Sequence, residues 1–228
     1  MPARLQIPVA LSARHVHLAR EHVEALFGQG HRLGQWKPLS QPGQFACPET
    51  VTVVGPKGQI EGVRVLGPER PESQAELSMT DGIFLGLPLP VRVSGDVAGT
   101  PGGHLIGPKG AVALSQGFIV AARHLHLHPE DARSAGIADR QVVAIRVVGT
   151  RGLVFDQVVA RVSEQFVTEA HLDTDEGNAA GVRLGDRVEV LFDVCDLCPS
   201  EACTLRADRV APATRPYCDF VDANLRVR

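Results

Sequence analysis

The chain has 228 residues, enough to bury a sizeable core in one or two domains. Its formal charge of −3 at pH 7, with a pI near 6.3, gives no electrostatic basis for binding nucleic acid or an anionic membrane, so an anionic substrate would need a local basic site. No apolar run approaches the roughly 20 residues that span a bilayer, and the residues ahead of the first strand are too few for a signal peptide, so a soluble cytoplasmic chain is expected.

Twenty-three glycines and 16 prolines punctuate many short Val-rich runs, which favours a mainly β fold. Residues 6–11 read as a strand that runs into Ser12-Ala13-Arg14-His15-Val16-His17-Leu18. Side chains two apart share one face of a strand, whereas on a helix they diverge by about 200°, so His15 and His17 can reach one ion. Leu18 to Phe27 reads as a short helix stopped by Gly28, with His22 on its surface. The turn-rich stretch from His31 to Gln44 follows, with His31 expected in solvent and Trp36 expected to pack.

Alternating residues on either side of Gly55-Pro56-Lys57-Gly58 predict a hairpin, and Gly107-Pro108-Lys109-Gly110 predicts a second. Such turns could bind phosphate, but they match neither a P-loop nor a dinucleotide fingerprint, and plain turns are expected. Between them, residues 67–78 crowd Arg70 among Glu69, Glu72 and Glu76. Pro71 disfavours helix for Arg70, so its guanidinium is presented from an extended loop. Gln74, Glu76 and Ser78 alternate onto one strand face. Glu76 could complete a His-His-Glu site, or be an ordinary exposed carboxylate. The run from Ile83 to Val93 then leads to Ser94 and a glycine-rich loop holding His104, to which no role is given.

The first histidine pair returns at Ala121-Ala122-Arg123-His124-Leu125-His126-Leu127, offset by 124 − 15 = 109 residues. Two such pairs suggest a metal centre built twice on two similar half-domains. Pro129 opens a helix with Glu130 and Asp131 in its first turn, and His128 leads into it. A hairpin over 141–149 and 153–162 ends near Arg161. His171-Leu172-Asp173 restarts the pattern of residue 126 onward, at 171 − 126 = 45 residues, which makes His171 a candidate ligand; a strand at 188–192 closes the series. Beyond it, Cys195, Cys198, Cys203 and Cys218 could form a second metal cluster or remain free thiols, and Cys47 is expected to be buried.

Taken together, Ser12-x-Arg14-His15-Val16-His17, Gln41-Pro42-Gly43-Gln44-Phe45, Gly67-Pro68-x-Arg70-x3-Gln74-x-Glu76-x-Ser78, Ala122-x-His124-x-His126 and His171 resemble the PduL-type phosphate propanoyltransferases. That resemblance, over residues 6 to 192, implies two β-barrels capped by short helices with the site between them. It implies the domains 1–115 (His15, His17 and Glu76), 116–193 (His124, His126 and His171) and a Cys-rich tail, 194–228. The implied reaction is acyl-CoA plus phosphate ⇌ acyl phosphate plus CoA, for propanoyl-CoA or acetyl-CoA.

The resemblance further implies two zinc ions, on His15, His17 and Glu76 and on His124, His126 and His171. Arg70 would be the catalytic cation, and Gln74, Ser94, Arg161, Gln41 and Gln44 would line the phosphate or CoA pocket. Members packaged in microcompartments carry an N-terminal targeting extension that is not seen here, which favours a free cytoplasmic enzyme of acetate or propionate metabolism within a family also tied to propanediol degradation. Exposed strand edges would allow a homodimer. Two other readings compete: a dinuclear zinc hydrolase, and a metal-binding or redox-sensing module centred on the tail.

Overall fold

The computed structural model describes residues 5–191. The four tail cysteines, and with them the suggested second metal cluster, lie outside the described residues. The chain runs through β1 (Gln6–Ser12), β2 (His15–His17), α1 (Arg20–Phe27), β3 (Lys37–Pro38), β4 (Phe45–Val54), β5 (Gln59–Gly67), β6 (Gln74–Glu76), α2 (Met79–Leu85) and β7 (Val91–Arg92). It continues through β8 (Gly103–Ile106), β9 (Ala111–Leu114), β10 (Phe118–Ala121), β11 (His124–Leu127), α3 (Pro129–Ala135), β12 (Val142–Val147), β13 (Val154–Val162), β14 (Glu169–Asp173), α4 (Thr174–Ala180) and β15 (Arg187–Leu191).

These strands form two barrel-like units, as the composition favoured. One is a closed barrel in the order β1-β14-β11-β13-β12-β15; the other is a nine-stranded sheet in the order β7-β10-β6-β2-β5-β4-β8-β9, with β3 on β4. Each unit has its own apolar core. One is built around Val16, Leu18, Val53, Val65 and Phe118, the other around Ile7, Leu125, Leu127, Ile145 and Val190. No described helix is long and apolar enough to cross a membrane.

A single cut at residue 115 does not separate the units, because each half of the chain lends a strand to the other. β1 lies parallel to β14, with Ala10 opposite His171, and supplies Ile7 and Val9 to the second core. β10 lies parallel to β6, with Ile119 opposite Glu76, and supplies Phe118 and Val120 to the first. The strand leading into each histidine pair therefore pairs with the strand carrying the third candidate ligand of the other pair.

The two Gly-Pro-Lys-Gly turns each close a hairpin and also dock onto a helix end. The Lys57 backbone N–H donates to the Leu85 carbonyl of α2 at 3.0 Å, and the Lys109 N–H to the Leu26 carbonyl of α1 at 3.0 Å. Both carbonyls are terminal groups that a helix cannot satisfy internally. A Cβ on Gly55 would lie 2.5 Å from the Leu85 oxygen, and one on Gly107 2.5 Å from the Leu26 oxygen, so only glycine allows the approach. The repeated turns are structural.

Other details depart from the sequence reading. Ser78 does not extend the strand of Gln74 and Glu76 but caps a helix over Met79–Leu85. The Ser78 hydroxyl accepts from the Asp81 N–H, and the Asp81 carboxylate accepts from the Ser78 N–H, a reciprocal cap that outweighs the weak helix propensity of Thr80 and Gly82. Trp36 is 63% exposed with the Arg64 guanidinium 4.8 Å from its ring, so its packing is with that arginine at the surface. His31 is not free in solvent: its Nε2 meets Glu49 Oε1 at 2.7 Å.

Candidate metal centres and active site

β2 and β6 run antiparallel with His15 opposite Glu76 and His17 opposite Gln74. This register, together with the period of two along each strand, turns both imidazoles and the Glu76 carboxylate to one side. His15 Nε2 lies 3.4 Å from Glu76 Oε2, and His17 Nε2 lies 3.8 Å from Glu76 Oε1. All three are buried. The His15 Nδ1 atom is 2.8 Å from the Ala13 carbonyl, which fixes a hydrogen there, so that the neutral ring presents the Nε2 lone pair to the cluster.

The second centre repeats this construction. β11 and β14 run antiparallel with His124 opposite His171 and His126 opposite Glu169. The His124 and His171 rings stack 4.8 Å apart, and the His126 ring lies 4.7 Å from each. His124 Nδ1 meets the Ala122 carbonyl at 2.9 Å, in the same way as its counterpart. His126 is buried against Phe166, and neither of its ring nitrogens has a hydrogen-bond partner. An orphaned imidazole is expensive unless something else accepts its lone pair, so this donor set fits a metal ion. In each triplet the candidate ligand atoms lie within 4.8 Å of one another.

Burial and neighbouring charges set the protonation. Burial, with the proximity of His124 and His171, pushes His126 down to about 2, and burial with His171 pushes His124 down to about 4. Burial, His15 and Arg70 hold His17 well below its ordinary value. Burial would lower His15 as well, but the Glu76 charge and hydrogen bond leave it raised. Burial alone would raise Glu76, yet His15 and His17 hold it well below the usual carboxylate range. Most of the imidazoles are thus neutral with a free lone pair at neutral pH, the form a metal requires.

Arg70 joins the first centre through Ser94. Its Nη1 donates to Ser94 Oγ at 3.0 Å, while Ser94 Oγ donates to Glu76 Oε1 at 2.6 Å. Gln74 Nε2 donates to both Glu76 Oε1 and Ser94 Oγ, at 2.5 and 2.9 Å, and its Oε1 accepts the Gly95 N–H. Arg70, Gln74, Ser94 and Glu76 are therefore one network. Burial, offset in part by Glu76, and the charge of Arg161 from the closed barrel lower the Arg70 pKa. Arg161 stacks on Phe166 at 5.6 Å and also depresses His124 and His126, which places it beside the second centre. His124 in turn feels Glu76, so the two centres lie within electrostatic reach across the units.

Gln41 and Gln44 are placed differently. The Gln41 amide donates to the Val167 carbonyl at 3.0 Å and accepts from the Val167 N–H at 3.2 Å, imitating a strand pair. Both ends of the amide are therefore used in joining the units. Gln44 lines an open groove with Trp36, Lys37 and Phe45.

Comparison with known proteins decides the family. The profile of the phosphate propanoyltransferases matches residues 8–183. A phosphate propanoyltransferase of Thermotoga maritima is 53% identical over 186 residues, 81% of this chain and 89% of its own length. Those of Enterococcus faecalis and Listeria monocytogenes are 52% and 48% identical, each covering 87% of the relative. This chain belongs to the phosphate propanoyltransferase family. It is accordingly an acyltransferase, and the six ligand candidates and Arg70 all fall within the matched span.

Three residues around the centres of this phosphate propanoyltransferase escaped the sequence reading. Glu169 Oε2 lies 3.2 Å from His171 Nε2 and accepts a hydrogen bond from Ser40 at 2.5 Å. Its spacing two residues before His171 in β14 was the available signal. Asp81 and Glu176 are the other two: each caps a helix and meets the arginine that precedes a histidine pair. Their signal was the capping pattern itself, three residues after Ser78 and after Asp173.

Proposed function

We propose that this phosphate propanoyltransferase interconverts acyl-CoA plus phosphate with acyl phosphate plus CoA, with propanoyl-CoA or acetyl-CoA as acyl donor, and serves propionate or acetate metabolism in the cytoplasm. It would hold two zinc ions, one on His15, His17 and Glu76 and one on His124, His126 and His171. The observation that carries this reading is the pairing of two three-residue clusters, one buried and one partly buried, with one forked cation from each unit, Arg70 and Arg161, close enough to affect each other. The orphaned nitrogens of His126 support a resident metal in particular.

Arg70 presents a planar, permanently charged fork that suits two oxygens of inorganic phosphate. Ser94 and Gln74 hold that fork at a fixed position relative to Glu76. Arg161 adds a second cation beside it, so the anion is held between units while its free oxygen attacks the thioester carbon. The C–O bond forms, the C–S bond breaks, and the sulfur leaves as thiolate. Bound zinc would supply Lewis-acid polarisation of the thioester carbonyl and stabilise the departing charge. No residue is needed as a covalent acyl carrier, and direct attack within a ternary complex follows.

The test is thiol release from propanoyl-CoA and acetyl-CoA by the purified protein, with and without inorganic phosphate. Release that requires phosphate, with acyl phosphate as co-product, is the expected result. Release indifferent to phosphate would make water the nucleophile and replace this reading by a hydrolase.

A further inference from the structure

Each histidine pair is preceded by an arginine that the transfer chemistry above does not use. Arg14 Nε and Nη2 meet the two Asp81 carboxylate oxygens at 3.1 and 2.9 Å. Arg123 Nε meets Glu176 Oε1 at 2.8 Å. Asp81 and Glu176 are equivalent: both sit at the third position of a helix whose cap, Ser78 or Asp173, lies two residues beyond the third candidate ligand, Glu76 or His171. The Ala13 and Ala122 carbonyls that orient His15 and His124 are also immediate neighbours of these arginines. The same brace therefore occurs twice, tying the turn before each histidine pair to the helix after the opposing ligand strand. The two helix starts meet, since the Thr80 N–H of α2 donates to Asp175 Oδ2 of α4 at 2.8 Å.

Resting on the two-metal reading above, we infer that Arg14 and Arg123 are equivalent positioning residues, each holding one histidine pair in register with the third ligand of its own centre. Neither touches substrate or metal; each acts through the backbone that aims His15 or His124. A charge-only role would work in the opposite direction, because a guanidinium near a cation site weakens cation binding. The sign of the effect therefore separates positioning from electrostatics. Arg14 is half exposed, so its replacement leaves no buried cavity.

The experiment is zinc titration of the metal-free native chain and of Arg14→Gln, Arg123→Gln and Arg14→Lys against a chelating dye, with thermal unfolding of each metal-free form. The native chain should bind two ions. Each Gln variant should keep one ion at native affinity and bind the other about tenfold more weakly. Arg14→Lys should stay closer to Arg14→Gln than to native, since an ammonium cannot span both Asp81 oxygens. Metal-free midpoints should stay within about 5 °C of native. Two ions on the native chain with unchanged or tighter affinities in the variants would overturn the inference alone. So would an affinity loss accompanied by a larger fall in the midpoint, because the arginines would then serve the fold only. A native chain that takes up no zinc overturns the two-metal reading and this inference with it.

Discussion

His15 stands opposite Glu76 in the same antiparallel register that sets His124 opposite His171. One centre has a carboxylate where the other has an imidazole, so two geometrically equivalent clusters differ by one negative charge. The Glu76 charge is what raises His15, while its counterpart His124, facing His171, is lowered to about 4. The two centres are thus built alike and tuned apart.

His126→Ala should remove one of two bound ions and lower turnover by at least about 100-fold. Both ring nitrogens of His126 are buried without a hydrogen-bond partner, so no polar interaction among the described residues accounts for them. Metal analysis beside the thiol-release assay checks this. Two retained ions at full occupancy would exclude His126 as a ligand.

Arg70→Ala should depress turnover by about 1,000-fold while leaving the metal content unchanged. The guanidinium is hydrogen-bonded to Glu76 through Ser94 and not directly, so the candidate ligand set survives its removal. The phosphate KM should rise and kcat should fall together. Unaltered turnover would remove Arg70 from the mechanism.

Much of this was legible in the sequence because strand periodicity and His-x-His spacing are local signals. The hairpins on Gly55–Gly58 and Gly107–Gly110, the helix stopped by Gly28, and the duplication by 109 residues needed no tertiary knowledge. What could not be read was pairing at long range. Nothing between residues 6 and 12 says that β1 leaves its own half to lie on β14. Gln41 is a pocket residue by resemblance alone, and that its amide bonds the Val167 backbone rests on a contact with a distant segment that nothing around residue 41 announces. Trp36 is readable as a packing residue, but where it packs is not: an indole can sit in a core or lie under an arginine at the surface, and the sequence does not distinguish the two.

Gly55→Ala and Gly107→Ala should each destabilise the fold by about 2 kcal/mol, lowering the thermal midpoint by roughly 4–8 °C. The added methyl would meet a helix carbonyl at 2.5 Å in both cases, and either the turn or the helix end must retreat. The Lys57 or Lys109 N–H bond to that helix would lengthen as a result. Pro56→Ala, in the same turn but exposed, should cost under about 1 kcal/mol. Equal midpoints for Gly55→Ala and Pro56→Ala would show that the close approach does not contribute.

Cys47 provides a pH test that leaves the centres untouched. It is fully buried in the first core, and burial, with Glu49 nearby, pushes its thiol up to about 12. The folded state therefore favours the protonated thiol more than the unfolded chain does. The sign follows: the stability linked to Cys47 is fully present below about pH 9, the unfolded value, and is lost as pH rises towards about 12. Cys47→Ala should consequently show a shallower loss of stability over that interval than the native chain, although it is less stable at pH 7 for want of the buried sulfur. At pH 8 the native thiol should resist iodoacetamide, with peptide mass spectrometry finding Cys47 unmodified until denaturant is added. Rapid labelling of Cys47 in the native protein would mean that the first core opens far more readily than its packing implies.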